Sequence, residues 1–255
     1  FEDVRFSYHD NEVLKGISFT ASEGHMTALV GESGSGKSTI ARLLVHHYDP
    51  TSGSISIGGQ HIDDMELRSL NDQISYVSQD LFLFDRSILE NIRVGRPSAT
   101  DMEVYEAAKR AQCDEFIKDL ENGYETNVGT AGNRLSGGQR QRISFARAIL
   151  KDAPIVVLDE ATAFVDPENE QKMNRAIHEI IDGKTVIVIA HKLRSIAGAD
   201  KIIMLQQGRI LAEGTQDELI ASCPEYHALW DASEKLSGWT LKDKALEGSR
   251  EEAPC

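Results

Sequence analysis

The sequence holds no long apolar run: its clearest ones, Ile155 to Leu158 and Val186 to Ala190, are strand-sized, far short of the ~20 residues that a membrane-spanning helix needs. The 255 residues themselves are therefore expected to be soluble. Cysteine is scarce as well. Cys113, Cys223 and Cys255 lie far apart, odd in number and without metal-ligand spacing, which argues against a disulfide scaffold or a zinc site and fits a reduced, cytoplasmic compartment. Basic residues are outnumbered, 27 against 41 acidic ones, and the formal net charge of −14 argues against a general nucleic-acid binder. An initiator Met and a signal peptide are missing too, and Phe1 to Tyr8 already reads as strand, so the chain looks cut from something longer. What is there is globular in composition, 40% hydrophobic and 27% charged, enough for one sizeable core split into lobes.

The stretch Gly31 to Thr39 reads Gly-Glu-Ser-Gly-Ser-Gly-Lys-Ser-Thr. It follows the apolar Met26, Ala28, Leu29 and Val30 and precedes Ile40, Ala41, Leu43 and Leu44, where a buried strand would turn into a helix. That context favours a phosphate-binding loop over a Gly/Ser-rich surface turn. Gly31, Gly34 and Gly36 let the backbone bring successive N–H groups onto a polyphosphate, and the helix adds the positive end of its dipole. The binding set is then Gly31, Ser33, Gly34, Ser35, Gly36, Lys37, Ser38 and Thr39. Lys37 supplies a point charge for the β- and γ-phosphates, and the Ser38 hydroxyl is placed to ligate Mg²⁺. The acidity of the chain implies the same cation, since local charge must outweigh the distant, salt-screened surface when an anionic nucleotide binds.

Either side of that loop, Val4, Phe6 and Tyr8 alternate with polar residues and Val13 to Thr20 resumes strand character, an antiparallel opening onto the nucleotide strand. Tyr8 is a candidate to stack on adenine or, equally, a half-buried strand aromatic. Gln79, directly after the strand Ile74 to Val77, suits a neutral amide touching Mg²⁺ or the attacking water, or is a loop residue. Leu81 to Arg96 is loop-broken and too apolar for an exposed loop; it packs inward or receives a partner. Asp101 to Gln112 and Asp114 to Leu120 are helical in pattern, so residues of about 80–150 read as a helical lobe inserted into an α/β core. Ser136, with Gly137 and Gly138, caps a helix predicted over Gln139 to Leu150: a plain cap or a second anion site. The run Ile155 to Leu158 ends in Asp159 and Glu160, at the edge where a parallel strand meets its ligand crevice. Asp159 suits Mg²⁺ and Glu160 the general base. Thr185 to Ala190 ends likewise at His191, structural or a donor to a γ-phosphate. Lys201 to Ala212 reads as a hairpin, Asp217 to Ala221 and Glu225 to Lys235 as short helices, and 237–255 as a polar, fraying tail. His46-His47 reads as solvated helix surface, with no further metal ligands spaced around it.

Taken in order over Val4 to Trp230, these residues resemble the nucleotide-binding domain of ATP-binding cassette (ABC) transporters. The matching parts are Tyr8 in the aromatic loop, Gly31 to Thr39 as Walker A, Gln79 as the Q-loop, Leu135-Ser136-Gly137-Gly138-Gln139 as the signature, Ile155 to Asp159 as Walker B, Glu160 as the catalytic glutamate, Asp166 in the D-loop and His191 in the H-loop. The resemblance implies an α/β fold: a P-loop NTPase core with a mainly parallel sheet, an antiparallel β subdomain and an inserted helical signature subdomain, within one domain over residues 1–236. It implies ATP and Mg²⁺ as cofactors and hydrolysis by in-line attack of water. It also explains two phosphate sites in one chain, because two cassettes, as a homodimer or a heterodimer, stack head to tail and each ATP lies between one Walker A and the other signature. The stretch from Leu83 to Ile92 and that from Gly208 to Thr215 look like cassettes fused behind an exporter-fold membrane domain, whose coupling helices would dock at about residues 79–92, on the cytoplasmic face of a membrane. Two stretches depart from the pattern. The D-loop reads Ala163-Phe164-Val165-Asp166, similar to that of exporter-fold systems importing iron-siderophore complexes, and Asn127 to Gly132 lacks the usual charges, so export and import both stay open. DNA-repair and ribosome-associated relatives fit less well: between Lys37 and Ser136 there are no heptads and no basic face, and the chain has one cassette. A binding-only cassette would not need both Glu160 and His191.

Overall fold

The computed structural model describes residues 1–159, 167–190 and 193–238. Strands β1 (Glu2–Tyr8) and β2 (Asn11–Ile17) form an antiparallel hairpin whose turn holds His9 in the left-handed region, φ 54°. Strand β3 (Met26–Val30) runs through a loop into α1 (Lys37–Leu44). After Pro50 come β4 (Ser52–Ser54), which pairs with β1, and the small hairpin β5 (Ser56–Ile57) and β6 (Gln60–His61). Helix α2 (Leu67–Gln73) leads to β7 (Ile74–Val77). Then come α3 (Ile88–Arg93), α4 (Asp101–Arg110), α5 (Asp114–Lys118) and α6 (Gly137–Lys151), the expected helical stretch. The chain closes through β8 (Ile155–Asp159), α7 (Pro167–Ile181), β9 (Thr185–Ile189), β10 (Lys201–Gln206), β11 (Arg209–Gly214), α8 (Gln216–Ser222) and α9 (Pro224–Gly238).

Six strands form one sheet in the order β11-β10-β3-β9-β8-β7, parallel except for β11 at the edge. The period of two along each strand decides which core a side chain joins. Leu29, Val157, Ile187, Ile189, Ile203 and Leu205 face α1 and the β1–β2 hairpin, where Phe6, Leu14, Ile40 and Leu43 are buried. Their neighbours face the other way: Val156, Leu158 and Val186 onto Ile143, Phe145 and Ile149 of α6, and Ala28, Ile202 and Met204 onto Leu219 of α8 and Tyr226 of α9. A sheet covered on both faces has only its strand ends left for a ligand. Cys113 and Cys223 are buried free thiols in two different clusters.

Two expectations need adjusting. Helix α6 begins at Gly137, two residues before the predicted start, because Ser136 and Gln139 form a reciprocal cap that draws both glycines into the first turn. Within 81–96 a short helix, α3, replaces the expected loop, capped by Ser87, whose hydroxyl accepts from Glu90 N at 3.2 Å. That stretch is inward and outward at once: Leu83, Ile88 and Ile92 are buried while Phe82 and Phe84 are exposed.

Candidate functional site

Strand β3 stops at Val30 because Gly31 must turn at φ 143°, and a Cβ there would lie 2.1 Å from the Leu205 carbonyl oxygen. Gly36, at φ 107°, lies against Leu14 of the β1–β2 hairpin and opens α1. Having no side chain, it offers no cap, and the first turn of α1 holds no acidic residue. Helices α3, α4, α6 and α8, by contrast, each carry a Ser or Thr cap. The amino end of α1 therefore presents donors suited to an anion. Ser33 and Gly34 are exposed at the loop's outer edge, and Ser35, Lys37 and Thr39 are buried. Lys37, only 6% exposed, donates to the carbonyl oxygens of Gly31 (2.9 Å) and Glu32 (2.8 Å), so the loop folds round its own cation.

Asp159 ends β8 beside this loop and is buried. Its Oδ1 accepts from the Ser38 hydroxyl at 3.2 Å, and its Oδ2 accepts from the Tyr76 hydroxyl at 2.8 Å. The Ser38–Asp159 spacing is close to the roughly 3.0 Å between neighbouring oxygens in an octahedral shell with Mg–O bonds of about 2.1 Å, so the pair fits a small hard cation. Burial, and secondarily Asp159, push the Tyr76 hydroxyl well above its ordinary range, which keeps it a donor. Gln79 is exposed just beyond β7, whose Val77 pairs with Leu158, so it stands at the same sheet edge as Asp159. Tyr8 ends β1 with its ring edge-on to Phe6 (4.7 Å) and Tyr48 (5.3 Å), part of an aromatic group that includes the half-exposed Tyr48.

Ser136, Gly137, Gly138 and Gln139 open α6 as a capping box: Gln139 N donates to Ser136 Oγ (3.2 Å) and Ser136 N to Gln139 Oε1 (2.8 Å). Ser136 and Gly137 are exposed. Among the described residues, a Cβ added at Gly138 would meet nothing within 4 Å, and one at Gly137 only the Arg140 side chain at 4.0 Å. Nothing among the described residues requires either to be glycine. Glu160, Asp166 and His191 lie outside the described residues, the first directly after the end of β8 and the last separated from the end of β9 by Ala190.

Sequence reasoning missed three groupings. Tyr76 was readable only as a strand aromatic, although a hydroxyl one residue before the carboxyl end of β7 was a signal. Asn91, fully buried, donates to the carbonyl oxygens of Phe84 (3.0 Å) and Ser87 (3.0 Å), and Arg147 donates to Asn91 O (2.6 Å) and Phe82 O (2.8 Å). Together they fix the wall of a groove of about 600 Å³ lined by Phe82, Phe84, Val94, Ser144, Arg147 and Lys151. The reading of His46 without nearby ligands is corrected. The chain folds back so that its Nε2 lies 2.7 Å from Asp49 Oδ1 and 3.6 Å from Asp63 Oδ1, both exposed, a polar contact tying the turn after α1 to the segments that follow.

Comparison with known proteins gives one consistent picture. A family model described as ABC transporter matches residues 14–163. An uncharacterized ABC transporter ATP-binding protein of Bacillus subtilis, YknV, is 49% identical over 230 residues, 90% of this chain and 38% of its own length. The beta-(1→2)glucan export ATP-binding/permease protein NdvA of Bradyrhizobium diazoefficiens is 49% identical over 222 residues, 87% of this chain and 37% of its own. The structure of a bacterial Atm1-family ABC exporter with ATP bound superposes with a TM-score of 0.87 at 42% identity, covering 91% of this chain and 41% of that one. The chain thus spans well under half the length of these relatives.

Proposed function

The chain belongs to the ABC transporter family as an ATP-binding domain, and from that premise we propose that two copies close head to tail around two ATP-Mg²⁺ to drive a substrate across a membrane. The observation that carries this is the start of α6, where Gly137 is exposed and Gly138 half-buried, and nothing among the described residues requires either to be glycine. A phosphate brought by a second copy supplies the reason, since only glycine lets backbone N–H groups approach an anion so closely.

In this reading Lys37, the loop glycines and the amino end of α1 hold the phosphates, Ser38, Gln79 and Asp159 hold Mg²⁺, and Tyr8 meets the base. Held there, the cation would supply charge neutralisation for the transferring phosphate. Glu160 takes the proton of the attacking water, His191 steadies the γ-phosphate, and Ser136 to Gln139 with Asp166 serve the neighbouring copy. Residues 1–236 form the working unit. The groove beside Phe82 and Phe84 receives a coupling helix of an attached membrane domain through residues of about 79–92, which sets the domain at the cytoplasmic face. Relatives named for export favour export, and the cargo is decided outside these residues.

The test is the mass of Glu160→Gln by light scattering. With ATP and Mg²⁺ it is expected to double, with turnover slowed by at least about a hundredfold. A monomer at saturating nucleotide, or wild-type turnover, overturns the proposal.

A further inference from the structure

We propose that Tyr76 is a positioning residue for the cation site: its hydroxyl pins one oxygen of Asp159 so that the other alone is presented beside Ser38. This rests on the ATP-Mg²⁺ reading above and adds a residue to it. Strands β7 and β8 run parallel with Tyr76 abreast of Val157, so Tyr76 and Asp159 share a face of the sheet. A strand side chain leans along the strand, which carries the Tyr76 hydroxyl forward to the carboxylate at the sheet edge. The contact of 2.8 Å falls on Oδ2, and the 3.2 Å contact from Ser38 falls on Oδ1, so the two oxygens have separate tasks. The ring is itself supported, with His47 edge-on at 6.3 Å.

A carboxylate turns easily about its last torsion. Held by Tyr76 it offers a single oxygen, a mode that suits Mg²⁺, which takes few protein ligands at short distance. Released, it can offer both oxygens, a mode that favours the larger and more tolerant Ca²⁺. Tyr76 would therefore set cation preference as well as affinity, through a partner of the ligand rather than by touching the metal.

The experiment compares the wild-type chain with Tyr76→Phe and Tyr76→Leu, folding being checked by circular dichroism. ATP affinity is measured first without divalent cation, then Mn²⁺ affinity of the ATP-loaded chain by electron paramagnetic resonance, with Mg²⁺ and Ca²⁺ as competitors. Tyr76→Phe, which keeps the ring, is expected to retain metal-free ATP affinity, to lose about tenfold in Mn²⁺ affinity and to shift the competition towards Ca²⁺. Tyr76→Leu should do the same. Mn²⁺ affinity and Mg²⁺/Ca²⁺ preference within twofold of wild type for Tyr76→Phe overturn the proposal, and so does a loss confined to Tyr76→Leu, which would assign the effect to ring packing. Absence of ATP binding in the wild type overturns the underlying reading, and this inference with it.

Discussion

Lys37 is buried under a loop whose carbonyl oxygens it already satisfies, so under the proposed function nucleotide binding would exchange carbonyl partners for phosphate oxygens rather than rescue an isolated charge. The gain is that of a charge-assisted contact, and Lys37→Ala is expected to weaken ATP binding by about tenfold to a hundredfold, roughly 1.5–3 kcal/mol. A nucleotide titration checks this, and an unchanged affinity would remove Lys37 from the site. At this scale the sequence was readable wherever residue type and spacing together imply chemistry, as with Gly31 to Thr39. It was silent wherever a role depends on a long-range neighbour. Tyr76 gains its meaning from Asp159, 83 positions away, and His46 from the return of Asp63; neither spacing is periodic.

Among the elements, α4 and α8 begin with the same device. Thr100 N donates to Glu103 Oε2 and Thr215 N to Glu218 Oε2, each at 2.8 Å, while each Thr hydroxyl accepts from the Glu amide. These bonds, the backbone one foremost, hold both glutamates below their ordinary value of 4.5. A carboxylate whose folded pKa is depressed stabilises the fold above the unfolded value, and that contribution disappears as pH falls through the folded one. Urea midpoints should therefore drop on acidification below about 4.5, and the drop should be shallower in the double variant Glu103→Gln, Glu218→Gln, which removes both titrating groups and keeps a side-chain acceptor for the Thr N–H. Identical slopes would show that these carboxylates contribute nothing. Ser136 was legible as a cap from its residue type alone, and its reciprocal bonds with Gln139 are the same device in α6. Helix α3 was hidden because its six residues are too few to show a period inside an apolar run, and its stability comes from Asn91 and Arg147 instead.

For the whole molecule, parallel strands and a helical insertion were readable from buried runs and turn residues. The order β11-β10-β3-β9-β8-β7 was not, since crossovers leave no local mark in the chain. Head-to-tail closure makes a quantitative expectation. Lys37→Ala and Ser136→Arg chains are each expected to be inactive alone, yet a mixed pair contains one Walker A and one signature that are both intact. An equal mixture should recover about a quarter of wild-type turnover, half the dimers being mixed and each holding one good site of two. No recovery in the mixture, with dimers present, would refute sharing of sites between copies.

Helix α6 joins both regions. Its first turn presents Gly137 and the half-buried Gly138, while Ser144, Arg147 and Lys151 further along form part of the groove wall, and it packs against α3, α4 and α7. Fifteen helical residues make a rod of about 22 Å that neither stretches nor shortens at modest cost. Under the proposed function such a rod would work as a lever with its fulcrum in the helical bundle: a push at the glycine end would tilt the floor on which a docked helix would rest.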